Sequence, residues 1–237
     1  MTFITIMNYT DPDDIIMCKG WFYFVRKFHP TAEIIVYYND ALSDELIRDD
    51  VTYKKLDVTN VPMLANKGKI NKLAIHREWD KYDQFIYMDA DAYPLADLQP
   101  MFDNCRKPIT YCGHDPGEGA GPTHLNSGVL VQKSKLFNYD NLIDIWLRSN
   151  KRLKYAGTDQ ALCQMHFEDI GYSPFDYNIM GHEYNSCANA TISIIDGNVS
   201  AISNITKKQI KVLHGYGCYR FSSNSNTKKF WNYIKNI

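Results

Sequence analysis

The chain has 237 residues, enough to bury a sizeable core, and residues 1–237 are expected to form one α/β domain. Lysine and arginine total 26 against 27 aspartates and glutamates, so the net charge of −1 supplies no chain-wide basic field for nucleic acid or an anionic membrane. A hydrophobic share of 45%, with 22% charged residues, excludes a disordered or fibrous chain. The 17 tyrosines suit either core edges or surfaces that stack on sugars or bases.

No stretch reaches the roughly 20 apolar residues that a membrane-spanning helix needs. Met1 to Tyr9 lacks the basic and long apolar regions of a signal peptide and reads as a strand, so a cytoplasmic location is the expectation. Cys18, Cys105, Cys112, Cys163, Cys187 and Cys218 show no CxxC spacing, which argues for buried thiols over a zinc site or disulfides. The sequons at Asn8, Asn189, Asn198 and Asn204 carry weight only in a secreted protein.

In chain order, an apolar run at Phe3–Met7 predicts a strand, Ile15–Phe28 a helix and Glu33–Tyr38 a second strand. That alternation is the signature of a βαβ unit, hence an α/β fold with a mostly parallel central sheet flanked by helices. A helical pattern from Lys69 to Trp79 precedes a strand at Gln84–Met88, and strands are expected at Ile109–Cys112 and Gly128–Gln132. Between them, Gly113–Gly121 holds four glycines and two acidic residues in nine positions and reads as a tightly turning loop. Helices are expected over Leu136–Ser149 and Gln160–Asp169, and short β-prone pieces at Thr191–Ile195 and Ile210–Leu213.

The most informative segment is Phe85–Asp91, an apolar strand that ends in two carboxylates, Asp89 and Asp91. Ligands of open α/β sheets bind at the carboxyl ends of strands. Side chains at i and i+2 share one side of an extended chain, so both carboxylates can reach one hard divalent cation that also takes phosphate oxygens. The competing reading is that the pair merely opens a loop and caps the next element. The buried strand in front favours the first reading, because desolvated carboxylates are costly without a neutralising cation. There is no GxxxxGK[ST] loop and no GxGxxG after the first strand, so neither backbone phosphate cradle is available. His214 also ends a short apolar run; an imidazole joining two carboxylates would shift the preference from Mg²⁺ toward Mn²⁺, whereas a structural role is the alternative.

Several segments, in order, resemble the motifs of the glycogenin-like glycosyltransferase family 8. They are Asn71-Lys72-Leu73 leading to Met88-Asp89-Ala90-Asp91, then Leu98–Asp103, Asp115-Pro116-Gly117, Leu125-Asn126-Ser127-Gly128-Val129, Gly157-Thr158-Asp159-Gln160 and His214–Arg220. Phe221 and Ser222 replace a proline and tryptophan of the last motif, and the segment from Asp115 to Asn126 is longer than in the family. The resemblance implies a GT-A fold and a retaining transfer from a UDP-sugar, with UDP-glucose and UDP-galactose the first candidates. It implies a glycan, protein or small molecule as acceptor, and Mn²⁺ or Mg²⁺ held by Asp89, Asp91 and His214. It also places Asp159, Gln160 and Asp115 around the transferred sugar. Asn8, Tyr9, Lys72, Ala90, Asn126, Ser127, Gly217 and Arg220 fall along the nucleotide-sugar. Asp159 and Gln160 read equally as a helix start. Two other classes compete: a haloacid-dehalogenase-type phosphatase, whose first strand also ends in DxD, and a sugar-binding module of the same fold without turnover.

Overall fold

The computed structural model describes residues 1–8, 10–59, 68–105, 109–113, 125–133, 139–148, 158–169, 171, 182–186, 190–215 and 225–237. Its centre is a six-stranded sheet built from β1 (Thr2–Ile6), β2 (Glu33–Tyr38), β3 (Thr52–Lys55), β4 (Phe85–Met88), β6 (Ile109–Gly113) and β7 (Leu125–Gln132), in the order β3-β2-β1-β4-β7-β6. The first four strands in that order are parallel; β7 runs antiparallel to both β4 and β6. The fold is therefore α/β with a mostly parallel sheet, as the βαβ pattern implies.

The inner strands β1, β2 and β4 and the described part of β7 are buried on both faces, which is why they read largely as apolar runs rather than alternating ones. Phe3, Ile34, Val36, Ile86, Met88, Val129 and Val131 point to one core, and Ile4, Ile35, Tyr37, Phe85, Tyr87 and Leu130 to the other. On the first face lies α1 (Pro12–Phe28), whose Trp21, Phe22, Phe24 and Val25 are fully buried. Each such side chain contributes about 1.5–3 kcal/mol of burial. α1 begins three residues before the predicted Ile15, because the Asp11 carboxylate accepts the Asp13 amide at 3.0 Å and Pro12 enters at the first turn. α6 (Ser225–Ile234) packs on α1 through Phe230, stacked on Phe24 with ring centroids 5.8 Å apart. The other face is covered by α2 (Gly68–Trp79), α4 (Tyr139–Arg148) and α5 (Thr158–Asp169), which supply Trp79, Leu142, Ile145, Leu162 and Phe167.

Two small ribbons lie outside the main sheet. β5 (Ala92–Pro94) pairs antiparallel with β10 (Val212–His214), and β8 (Ala190–Ile195) forms a hairpin with β9 (Asn198–Ser203). A short helix, α3 (Gln99–Asn104), follows β5. The predicted helix over Leu136–Ser149 is seen as Tyr139–Arg148, residues 134–138 and 149 lying outside the described residues. The glycine-rich loop expected at Gly113–Gly121 lies beyond Gly113 outside them as well. The Ile210–Leu213 piece begins two residues later and ends one later, as Val212–His214, and β7 starts at Leu125 instead of Gly128. Among the described residues, no helix is long and apolar enough to cross a membrane, and Cys18, Cys105 and Cys163 are buried free thiols.

Candidate functional site

β4 ends at Met88, and the chain turns at once: the Ala92 amide donates to the Asp89 carbonyl at 2.9 Å. Asp89 and Asp91 are therefore not paired along an extended strand, as the i, i+2 spacing suggests, but converge across a tight turn. The turn is fixed from both sides. The Asp89 amide donates to the Gly128 carbonyl on β7 at 2.8 Å, and the Gly215 amide donates to the Asp91 carbonyl at 3.1 Å. Ala90, between the carboxylates, is buried.

β10 brings His214 to this turn. Its register with β5 sets His214 opposite Ala92, the residue after Asp91, so the imidazole falls across the two carboxylates. His214 Nε2 is 3.5 Å from Asp89 Oδ2 and 3.5 Å from Asp91 Oδ1. Donor atoms of all three residues lie within 4.8 Å of one another. The side chains are 16%, 14% and 12% exposed for Asp89, Asp91 and His214, so all three are mostly buried. Tyr87 donates its hydroxyl to Asp89 Oδ1 at 2.7 Å, leaving Oδ2 as the oxygen that faces the histidine. The negative field reaches inward: burial, then Asp14, then Asp91 push the Cys18 thiol well above the ordinary cysteine range, so that it stays protonated.

The donor set fits a divalent cation. Neighbouring ligands on an octahedral ion with bonds near 2.1 Å stand about 3 Å apart, and the three groups already approach that spacing. Two carboxylate oxygens and one imidazole nitrogen suit Mn²⁺ or Mg²⁺, with the nitrogen favouring the former.

The remaining expected residues distribute as follows. Asn8 follows β1, and its Oδ1 accepts the Asn39 amide at 2.6 Å, tying the carboxyl ends of β1 and β2 together. Asn126 and Ser127 are buried in β7, just ahead of the Gly128 that pairs with Asp89; Asn126 Oδ1 accepts the Gly128 amide at 2.8 Å. Asp159 and Gln160 fall in the first turn of α5, which begins at Thr158, so neither is the residue before the helix. Lys72 lies in α2; its side chain and that of Asp159 are outside the described residues, as are Tyr9, Asp115, Gly217 and Arg220 entirely.

Sequence reasoning passed over three contributors: Tyr87, Asn185 and the steric role of Gly128. A glycine inside a strand marks a close approach, and Gly128 has one. A Cβ there would stand 2.0 Å from His214 Cε1 and 2.6 Å from Nε2.

A mixed α/β sheet of this order, with carboxylates at the end of its fourth strand, has the GT-A type fold of glycosyltransferases. The galactosyltransferase LgtC, solved in complex with donor and acceptor sugar analogs, aligns over 100% of this chain and 96% of its own with a TM-score of 0.60 and 12% identity. The glycosyltransferase GlyE of Streptococcus pneumoniae TIGR4 aligns over 98% of this chain and 59% of its own, with a TM-score of 0.64 and 15% identity. Mouse xyloside xylosyltransferase 1 aligns over 91% of this chain and 98% of its own, at 0.56 and 13%. No family model matches the sequence, and no curated protein matches it.

Proposed function

We propose that the chain is a metal-dependent, retaining glycosyltransferase of the glycogenin-like family, a single domain that moves a sugar from a UDP-sugar to a glycan, protein or small-molecule acceptor. UDP-glucose and UDP-galactose are the first donors to test. The observation that carries this reading is the convergence of Asp89, Asp91 and His214 on one point at the end of β4. Its context supports it: solved structures that align with this chain include glycosyltransferases, and LgtC was captured with donor and acceptor sugar analogs. Among the described residues, Cys18, Cys105 and Cys163 are free buried thiols, which is compatible with the reducing, cytoplasmic setting of this reading.

In this reading Asp89, Asp91 and His214 would hold Mn²⁺ or Mg²⁺, which would supply positive charge for a leaving diphosphate. The chain's own residues do the rest. Lys72 and Arg220 add cationic charge at the diphosphate. Asn8 and Tyr9 lie toward the base. Ala90 and Gly217 let the backbone approach the nucleotide, while Asn126, Ser127, Gln160, Asp159 and Asp115 orient the sugar hydroxyls. The acceptor hydroxyl attacks the anomeric carbon from the face that UDP leaves: its oxygen forms the new glycosidic bond, the anomeric C–O bond to UDP breaks, and the proton passes to the departing phosphate. A sugar trapped covalently on Asp159 or Asp115 would replace this step with a double displacement.

The test is a panel of nucleotide sugars incubated with the purified chain and Mn²⁺, with and without EDTA, reading nucleotide release. UDP release from one donor, abolished by EDTA, is the expected result. No release, together with no binding of UDP in the presence of Mn²⁺, refutes the proposal.

A further inference from the structure

His214 has two ring nitrogens, and only one faces the carboxylates. The other, Nδ1, lies 2.6 Å from the side-chain oxygen Oδ1 of Asn185. Asn185 is completely buried. A buried amide is costly unless its hydrogen bonds are made, so this side chain is not space filling. The backbone delivers it on purpose-built rails. The segment from His182 to Ser186 runs alongside β10: the Lys211 amide donates to the Glu183 carbonyl at 2.6 Å, the Ser186 amide to the Val212 carbonyl at 3.1 Å, and the His214 amide to the Ser186 carbonyl at 2.9 Å. Ser186 and Leu213 form a parallel bridge. Asn185 is thereby held in register with His214, although 29 residues separate them in sequence. Gly128 leaves the space that the ring occupies, since any Cβ there would overlap it.

A neutral imidazole carries one N–H, and which nitrogen bears it decides what the ring can do. An oxygen acceptor at Nδ1 requires the proton on Nδ1. The lone pair is then on Nε2, the atom 3.5 Å from both carboxylates. The opposite tautomer would aim an N–H at Asp89 and Asp91 and make a closed hydrogen-bonded triad with no nitrogen available to an ion. Here the buried Asn185 amide favours the Nδ1–H form.

We propose that Asn185 is a positioning residue that fixes His214 in the Nδ1–H tautomer and so presents Nε2 as the third protein ligand beside Asp89 and Asp91. This deepens the metal-dependent reading above and rests on it for the identity of what Nε2 meets. The consequence is selectivity: with Asn185 intact the site is mixed nitrogen and oxygen and favours Mn²⁺, and without it the site approaches two carboxylates alone, which suit Mg²⁺ as well as Mn²⁺.

The experiment uses the full chain in two arms. In the first, ¹⁵N-histidine NMR of the metal-free protein under mildly alkaline conditions reads the tautomer of His214, assigned by the signal lost in His214→Gln. The wild type is expected to show Nδ1–H, and Asn185→Ala to shift toward Nε2–H. In the second arm, calorimetric titration with MnCl₂ and MgCl₂ is expected to give about 10–100-fold weaker Mn²⁺ binding in Asn185→Ala with a smaller change for Mg²⁺. Asn185→Asp, which keeps an acceptor oxygen in place, is expected to keep both the tautomer and Mn²⁺ binding, and it serves where the alanine variant does not fold. An Nε2–H wild type overturns the inference with no variant needed. So does a folded Asn185→Ala with wild-type tautomer and Mn²⁺ affinity, or a folded Asn185→Asp that has lost Mn²⁺ binding. A wild type that shows Nδ1–H yet binds neither ion supports the tautomer assignment and overturns the metal-dependent reading, so the two failures are told apart.

Discussion

Replacing Gly128 by alanine is a one-methyl perturbation with a consequence set by geometry. The new Cβ would lie 2.0 Å from His214 Cε1, 2.6 Å from Nε2 and 2.8 Å from Nδ1. Carbon contacts settle at about 3.5–4.0 Å, so ring and strand must separate by roughly 1.5 Å. The strand cannot give. β7 is hydrogen-bonded on both sides, with Met88 opposite Val129 and Cys112 opposite Asn126, and the Gly128 carbonyl holds the Asp89 amide at 2.8 Å. The ring must therefore move, and it is 2.6 Å from Asn185 and 3.5 Å from each carboxylate. A shift of that size either takes the Asn185 contact beyond hydrogen-bonding range or drives the ring into the amide, and the 2.6 Å contact is lost in both cases. Overpacking costs about 1–3 kcal/mol, while removing a glycine from a strand returns about 0.5–1 kcal/mol, so the net loss of stability is modest, of order 1–2 kcal/mol. In a chain of this size that lowers Tm by about 2–8 °C. Metal binding suffers more than stability, because one of three protein ligands is displaced; we expect Mn²⁺ affinity to fall at least about tenfold. Thermal unfolding by circular dichroism and Mn²⁺ calorimetry read the two quantities separately. A Gly128→Ala chain with wild-type Mn²⁺ affinity would refute the reasoning.

Asp89→Ala or Asp91→Ala should cut transfer by about a hundredfold or more, the equivalent of roughly 3 kcal/mol of charge stabilisation; near-normal nucleotide release in either variant contradicts the metal role. Arg220→Ala should weaken UDP binding in the presence of Mn²⁺ by about tenfold, read by calorimetry, and unchanged affinity removes Arg220 from the diphosphate. Acid stability has a separate source in His29, whose Nε2 accepts the Leu98 amide at 3.1 Å and must be unprotonated to do so. Burial pushes its pKa below the ordinary value, against the opposing pull of Asp97. The folded state thus binds fewer protons than the unfolded one, so this stabilisation is complete above the ordinary histidine value of about 6.5 and is lost as pH falls through the lower folded value. His29→Asn should be less stable at neutral pH and show a flatter fall in Tm on acidification; an unchanged slope would exclude His29 as the source.

The strands of the main sheet were legible because burial on both faces leaves an unmistakable apolar run. Glu33–Tyr38 reads from the sequence with the bounds it has in the structure, and Phe85–Met88 to within one residue. What escaped were elements whose pattern is set by a partner. β3, with exposed Thr52 and Lys55, lies at the sheet edge, and its polar residues give it no core signature. β5 is three residues whose strand identity exists only through pairing with β10. β7 reads three residues short, missing Leu125–Ser127, because Asn126 and Ser127 interrupt the apolar run, yet they lead directly into the Gly128 that borders the site. Local consistency fails where the chain makes room for function.

The same division explains the site. Asp89 and Asp91 announce themselves by adjacency, and the end of a buried strand is a poor place for two carboxylates unless something neutralises them. His214 is 123 residues further on, and only the antiparallel register of β5 with β10 makes it a neighbour. Asn185 is one step more remote, since its position depends on β10 already being in place. The cluster is thus assembled in layers: the main sheet sets the turn, the turn launches β5, β5 receives β10, and β10 receives the segment that carries Asn185. Each layer is fixed by backbone hydrogen bonds rather than by the ionisable groups, so the carboxylates and imidazole are held close together by the scaffold whether or not a cation is bound. That is the arrangement a preorganised cation site requires, and it predicts that metal binding will tighten a cluster already formed rather than fold one that is not.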